Sequence, residues 1–241
     1  MKAPVWIPVG QARFQEISGG SYLAAVAGLE PVEFGPLEID TDLQFLHRWF
    51  ASDYGKFWGL GGIPQKELRS ILEEKAEATN PRFWVVRHLP SRQPIYIHIT
   101  YDPVTDLLAS HLPVQTGDVG AHSFVAPFPD RLGYSTNVLL YLADAFCFLD
   151  PSVTRILREP DIRNRAMIRR RLQLGYSLGN VVHLPQKIAQ VSYQTRKGFM
   201  DVDLLKLPPV PALSLWPCKV FFHRVHRFVF KRLAAVFRST R

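Results

Sequence analysis

His122 closes the run Asp118-Val119-Gly120-Ala121-His122. Strand alternation there turns its ring to the face opposite Ala121 and Ser123. An imidazole with an ordinary pKa of about 6.5 accepts a proton at neutral pH, so this position suits a general base. Read for structure alone, the same residue is a satisfied strand histidine. The second stretch with chemistry is Arg158-Glu159-Pro160-Asp161-Ile162-Arg163-Asn164. A β-branched segment, Val153 to Leu157, leads into it, and Pro160 stops the strand because it cannot donate a ladder hydrogen bond. Asp161 then caps a helix, and Gly175 closes that helix as a C′ residue. A carboxylate beside His122 would favour the imidazolium and raise its pKa. A strand end feeding a cap-rich helix start is where α/β proteins usually build sites.

The elements that position these groups follow from periodicity. Residues before 40 read as two or three short strands, with Ser18-Gly19-Gly20-Ser21 as a turn. Leu43, Leu46, Trp49 and Phe50 give one apolar face to a helix over 42–51, and Pro64 opens a second running to about residue 78. Strands follow at 83–86, 95–101 and 117–125, then an apolar helix from Ser135 or Thr136 through Phe148. A strand at 153–157, a helix at 163–174 and strands near 176–183 and 187–194 complete the series. Helices, then strands, then β-α-β-α-β-β describe an α/β domain around a mixed sheet.

Composition bounds the rest. The 241 residues fit one domain with additions, and 47% hydrophobic residues support a sizeable core. Cys147 and Cys218 have no metal spacing and read as thiols in a reducing compartment. The first residues lack the apolar core of a secretory signal, and no apolar run is long enough to span a bilayer, so a cytoplasmic location is expected. The net charge is +8, but seven of the 29 cations lie in residues 219–241 without one acid. That leaves 22 cations against 21 acids elsewhere, which is poor support for nucleic-acid binding by the body. In the tail, Phe222, Val225, Val229, Leu233, Val236 and Phe237 share one helical face, opposite Arg224, Arg227, Lys231 and Arg238. Such a basic amphipathic helix lies on an anionic membrane or docks on a partner; otherwise it packs back on the domain.

Several stretches also resemble, in order, the GNAT-type siderophore-biosynthesis N-acyltransferases, over roughly residues 36–195. They are Leu46-His47-Arg48-Trp49-Phe50 with Phe57-Trp58, the strand Pro94 to Pro103, Asp118-Val119-Gly120-Ala121-His122, Glu159-Pro160-Asp161-Ile162-Arg163-Asn164, and Leu184 to Ala189. The resemblance implies a GNAT-like mixed central sheet flanked by helices. It places an N-terminal strand extension at 1–35, the acyltransferase domain at 36–203, and a Pro-rich linker with the basic C-terminal helix at 204–241. It implies acyl transfer from an acyl-coenzyme A to the side-chain amine of lysine, ornithine or a related diamine, or to the N-hydroxylated amine, giving a hydroxamate arm.

In that reading His122 manages the proton, and Asp161 holds the acceptor amine or orients His122. Arg131, Gly133, Ser135 and Thr136 form the pyrophosphate loop, which has one glycine where the family has several. Asn164 reaches the pantetheine arm or caps the helix, and Arg169 pairs with nucleotide phosphates or is part of a solvated face. Trp49 and Trp58 wall the acceptor's aliphatic stem or simply pack on the core. No metal and no nucleophilic residue is needed. The glycine-poor loop also fits a second reading, a GNAT-like binding or assembly module without catalysis, held at a membrane surface.

Overall fold

The protein is described from a computed structural model covering residues 5–26, 29–76 and 79–207. The amphipathic helix expected over 219–241, and the Pro-rich segment before it from residue 208, lie outside the described residues.

Four strands come first: β1 (Ile7–Val9), β2 (Ala12–Glu16), β3 (Tyr22–Val26) and β4 (Val32–Gly35). Helices α1 (Ile39–Ala51) and α2 (Gln65–Ala76) follow, then β5 (Arg82–His88), β6 (Pro94–Tyr101) and β7 (Asp118–Val125). Next are α3 (Thr136–Cys147), β8 (Arg155–Arg158), α4 (Arg165–Gln173), β9 (Ser177–Leu184), β10 (Lys187–Thr195) and the short α5 (Arg196–Met200). The ten strands among the described residues form one sheet, ordered β1-β2-β3-β4-β5-β6-β7-β8-β10-β9.

The sheet is a meander from β1 to β7, every neighbour antiparallel. Only β7 and β8 run parallel, pairing Asp118 with Arg155, Val119 with Ile156 and Gly120 with Leu157. A parallel pair needs a long crossover, which α3 provides. Alternation in β5 and β6 divides the core. Trp84, Val86 and Tyr96 join a cluster with α3 side chains such as Leu140 and Phe146. Val85, Ile97 and Ile99 join Leu46, Trp49, Leu68 and Leu72 of α1 and α2. Each such fully buried side chain contributes about 1.5–3 kcal/mol of transfer free energy.

Two helix starts differ from expectation. Helix α1 begins at Ile39 because the Asp42 carboxylate reaches back to the Glu38 N–H at 2.8 Å and pairs with buried Arg87 at 2.5 Å. Helix α4 begins at Arg165 and is capped by Asn164, whose side-chain oxygen accepts from the Met167 N–H at 3.2 Å. Its far end is as expected. Gly175 has φ +81°, its N–H donates to the Leu172 carbonyl, and the Tyr176 N–H donates to the Arg171 carbonyl, both at 3.0 Å.

Candidate active site

The parallel seam builds the site. Asp118, with no exposed side-chain surface, takes a two-pronged ion pair from Arg155 at 2.7 and 2.6 Å and so ties the start of β7 to the start of β8. Beyond Gly120 the pairing ends, and the two strands part. The Tyr101 ring lies across Gly120: a Cβ there would stand 2.1 Å from the ring, so only glycine fits. A cavity of about 230 Å³ opens at the parting, lined from β7 by Ala121, His122 and Ser123 and from beyond β8 by Glu159, Pro160 and Asp161.

His122 and Glu159 meet across this gap, with the imidazole Nδ1 3.3 Å from the Glu159 Oε1. Tyr101 stacks on the imidazole at 5.0 Å and donates its hydroxyl to the other Glu159 oxygen at 3.0 Å. Lys187 of β10 donates to Glu159 Oε1 at 3.2 Å. Burial works to raise the Glu159 pKa, but the charges of Lys187 and His122 and the two donated hydrogen bonds outweigh it and bring the value to about 2. Glu159 is therefore ionised at neutral pH. The His122 pKa is lowered chiefly by desolvation, against the pull of the Glu159 charge. With 37% of its side chain still open, His122 is a neutral imidazole at neutral pH. A carboxylate 3.3 Å from Nδ1 favours the tautomer with the proton there, which leaves Nε2 as the basic nitrogen.

The carboxylate that orients His122 is thus Glu159 and not Asp161. Asp161 does line the cavity, but its oxygens accept from the Arg163 guanidinium at 2.8 and 2.6 Å and from the Arg163 N–H at 2.8 Å. Two positions separate the two acids, and Pro160 between them turns the chain: its carbonyl accepts from the Gln190 N–H at 2.9 Å, and Asp161 bridges to Ala189. Asn164 both caps α4 and lines the cavity. Trp58 and Phe57 form a wall, with Trp58 edge-on to His122 at 6.3 Å. Trp49 does not. It is buried in the α1 core, stacks on Phe124 at 5.9 Å, and donates its indole N–H to Asp130 at 2.7 Å. Amphipathic packing decided its position, and its contact with the site is indirect, through the loop after β7.

That loop begins with Asp130, held by Trp49 and by Arg48 at 2.6 Å. Leu132 and Gly133 have positive φ, and the glycine faces open space. Tyr134 fills the place of a further glycine by burying its ring and donating to the Glu30 carbonyl at 3.0 Å. Ser135 is the N-cap of α3 and makes no side-chain cap bond, so the first N–H groups of that helix are left for another acceptor. Arg131 donates to Thr136 at 2.8 Å, and Arg170 of α4 donates to Asn137 at 2.9 Å. The charge of Arg131, after burial, lowers the Arg170 pKa. Two cations and a helix start fit a pyrophosphate. Arg169, expected in this role, points to solvent, and its neighbour Arg170 stands at the loop instead.

A sheet with one parallel seam, a His–Glu pair where it opens, and a basic loop at the next helix define an acyltransferase of the GNAT class. Residues 38–184 match the family described as acetyltransferase (GNAT) domain, and the chain belongs to that family. No curated protein matches it. An uncharacterized protein from Bacillus halodurans shares 24% identity and a TM-score of 0.64, over 70% of this chain and 86% of that one. Aminoglycoside acetyltransferase AAC(6')-Ib, solved with paromomycin and acetyl-coenzyme A, shares 19% identity and a TM-score of 0.57, over 70% and 96%. Spermidine N-acetyltransferase from Vibrio cholerae, solved with coenzyme A and spermine, shares 13% identity and a TM-score of 0.54, over 70% and 98%. At these identities the solved structures bear on the fold. Among the described residues there is no helix long and apolar enough to cross a membrane and no acid, histidine or cysteine group suited to a metal.

Proposed function

We propose that the protein transfers an acyl group from an acyl-coenzyme A to the N-hydroxylated side-chain amine of lysine, ornithine or a related diamine, forming a hydroxamate of the kind found in siderophores. The observation that carries this is the His122–Glu159 pair at 3.3 Å, opening on a cavity walled by Trp58, Ala121 and Asn164. The stretches that resemble siderophore acyltransferases, Asp118 to His122 and Glu159 to Asn164, are the ones that line or brace this cavity. Each has a physical task. Asp118 fixes the seam, Gly120 admits Tyr101, His122 is the base, Glu159 orients it, and Asn164 caps α4.

Arg131, Arg170 and the first N–H groups of α3 hold the pyrophosphate of the donor. By alternation the backbone groups of Ala121 and Ser123 face the gap, as the Ala121 carbonyl does in accepting from Arg158 at 3.2 Å. An N–H at those positions polarises the thioester carbonyl. The acceptor nitrogen attacks the carbonyl carbon, the C–N bond forms, and the C–S bond breaks with the sulfur leaving on coenzyme A. His122 Nε2 takes the proton from nitrogen, and the Glu159 charge stabilises the imidazolium that results. An N-hydroxylated amine is neutral at pH 7, whereas a lysine-type amine with a pKa of about 10.4 is almost fully protonated, which favours the former as acceptor. Trp58 and Phe57 are placed to flank its aliphatic stem.

Mass spectrometry of products from acyl donors crossed with hydroxylysine, hydroxyornithine, hydroxylated diamines and the plain amines tests the reading. The hydroxamate should dominate. Equal rates with plain amines would refute the choice of acceptor, and no product with any pair would refute the activity.

A further inference from the structure

On the face of β7 opposite His122 lies a second charged group that the proposed chemistry does not use. Arg158 and Arg171 are both buried, and both point at one carboxylate, Asp144 of α3. Arg158 donates to Asp144 at 2.6 Å, to Tyr176 and Ser123 at 2.8 and 2.7 Å, and to the Ala121 carbonyl at 3.2 Å. Arg171 donates to both oxygens of Asp144, at 3.3 and 3.2 Å, and to Ser123 at 3.1 Å. Tyr176 completes the group, its hydroxyl 2.9 Å from Asp144. Ser123, Arg158 and Arg171 all line the cavity that His122 opens on from the other side.

The group carries one positive charge in excess. Arg158 makes four hydrogen bonds and Arg171 three, fewer than the ten N–H groups that two guanidiniums present. Glu159, the residue after Arg158, is engaged on the opposite face by Tyr101, Lys187 and His122. The other buried arginine of this fold is matched differently: Arg87 has Asp42 at 2.5 Å and Glu38 at 3.7 Å for a single guanidinium. Two desolvated cations on one anion are costly unless a second anion joins them. The phosphates of the donor are not that anion. Asp144 stands nine residues along α3 from Ser135, a rise of about 13 Å from the helix start that faces them. In the acyltransferase reading, the part of the donor that reaches this depth, next to the backbone of Ala121 and Ser123, is the acyl end.

We propose that the transferred acyl group ends in a carboxylate, so that the donor is a dicarboxylic monothioester such as succinyl- or malonyl-coenzyme A, its free carboxylate held by Arg158 and Arg171. This rests on the acyltransferase reading above and adds the class of donor. A carboxylate there would receive charge-assisted hydrogen bonds from guanidiniums already fixed by Asp144, Tyr176 and Ser123. An alkyl chain of the same length would leave the excess charge as it stands.

The test compares succinyl-coenzyme A with butyryl-coenzyme A, which has the same four carbons and no carboxylate, by calorimetry on the full chain and by kcat/KM with the best acceptor. Succinyl-coenzyme A should bind at least tenfold more tightly and carry the larger kcat/KM. Equal or weaker binding overturns the proposal and leaves the acyltransferase reading intact. Absence of binding by any coenzyme A ester overturns both. In Arg171→Gln one guanidinium remains for Asp144, and the succinyl-to-butyryl ratio should collapse toward one, whereas Arg171→Lys should keep part of it. A ratio unchanged in a folded Arg171→Gln protein would also overturn the proposal. Should that variant not fold, as circular dichroism would reveal, the ratio measured on the natural protein decides alone.

Discussion

Replacing Glu159 by Gln keeps size and shape and removes one charge beside His122. The two groups are 3.3 Å apart. At that distance the attraction between a carboxylate and an imidazolium is about 1.3 kcal/mol with water-like screening and about 5 kcal/mol with the screening typical near a protein surface. The open side of His122, 37% of its side chain, places the value toward the lower end, at about 2 kcal/mol. The charge is felt only once His122 has taken the proton, so its loss falls on the transition state and should lower kcat about thirtyfold. The pH profile should move as well. Without the carboxylate the imidazolium is less favoured, the His122 pKa falls, and the acid limb of kcat shifts to lower pH by about one and a half units. Initial rates of thiol release from acetyl-coenzyme A across pH 5 to 8, with coenzyme A affinity as a control on folding, measure both effects. A Glu159→Gln protein with unchanged kcat and an unchanged acid limb would refute the pairing as the source of the base.

Three further outcomes are expected. His122→Ala should lower kcat by about two to four orders of magnitude and leave coenzyme A affinity within a factor of about three, because the phosphate loop lies elsewhere; full turnover would remove His122 from the mechanism. Gly120→Ala puts a methyl into the Tyr101 ring and should cost about 1–3 kcal/mol of stability together with most of the activity, read by thermal unfolding and rate; an unaltered melting temperature would show that Tyr101 can move aside. The Glu159 pKa of about 2 against an ordinary 4.5 corresponds to about 3 kcal/mol of folding free energy. Because the value is depressed in the folded state, that stability is present above pH 4.5 and is lost as pH falls toward 2. Urea unfolding at pH 7 and pH 3 should show a smaller loss for Glu159→Gln than for the natural protein.

Periodicity was a good guide to elements whose pattern is local. Leu46, Trp49 and Phe50 mark α1, the alternation from Ile95 to Tyr101 marks β6, and Gly175 closes α4 with positive φ. It located His122 on a strand because that strand alternates. It offered Asp161 either as the group that orients His122 or as a holder of the acceptor amine, and it missed Glu159 because the pairing depends on which strands adjoin. The parallel contact of β7 with β8 joins segments separated by all of α3, and no local pattern reports it. Trp49 shows the converse: an aromatic at helical spacing belongs to the core whatever motif contains it. Arg170 and Arg169 differ by one position in a run of arginines, and only the turn of α4 decides which reaches the loop. Tyr101 and Lys187 lay within stretches already singled out, and stacking on His122 and bonding to Glu159 are the tertiary facts that give them roles.

The parallel seam divides the sheet into two blocks, each continuous along the chain: β1 to β7, then β8 to β10. The proposed proton acceptor, His122, belongs to the earlier block and the charge of Glu159 to the later one. During synthesis the first seven strands emerge from the ribosome with His122 still lacking the glutamate that tunes it. Competence to consume a thioester therefore arrives last, when the C-terminal block docks. A chain cut between the blocks, near residue 151, would yield two individually inert pieces, and returning turnover would report their reassembly.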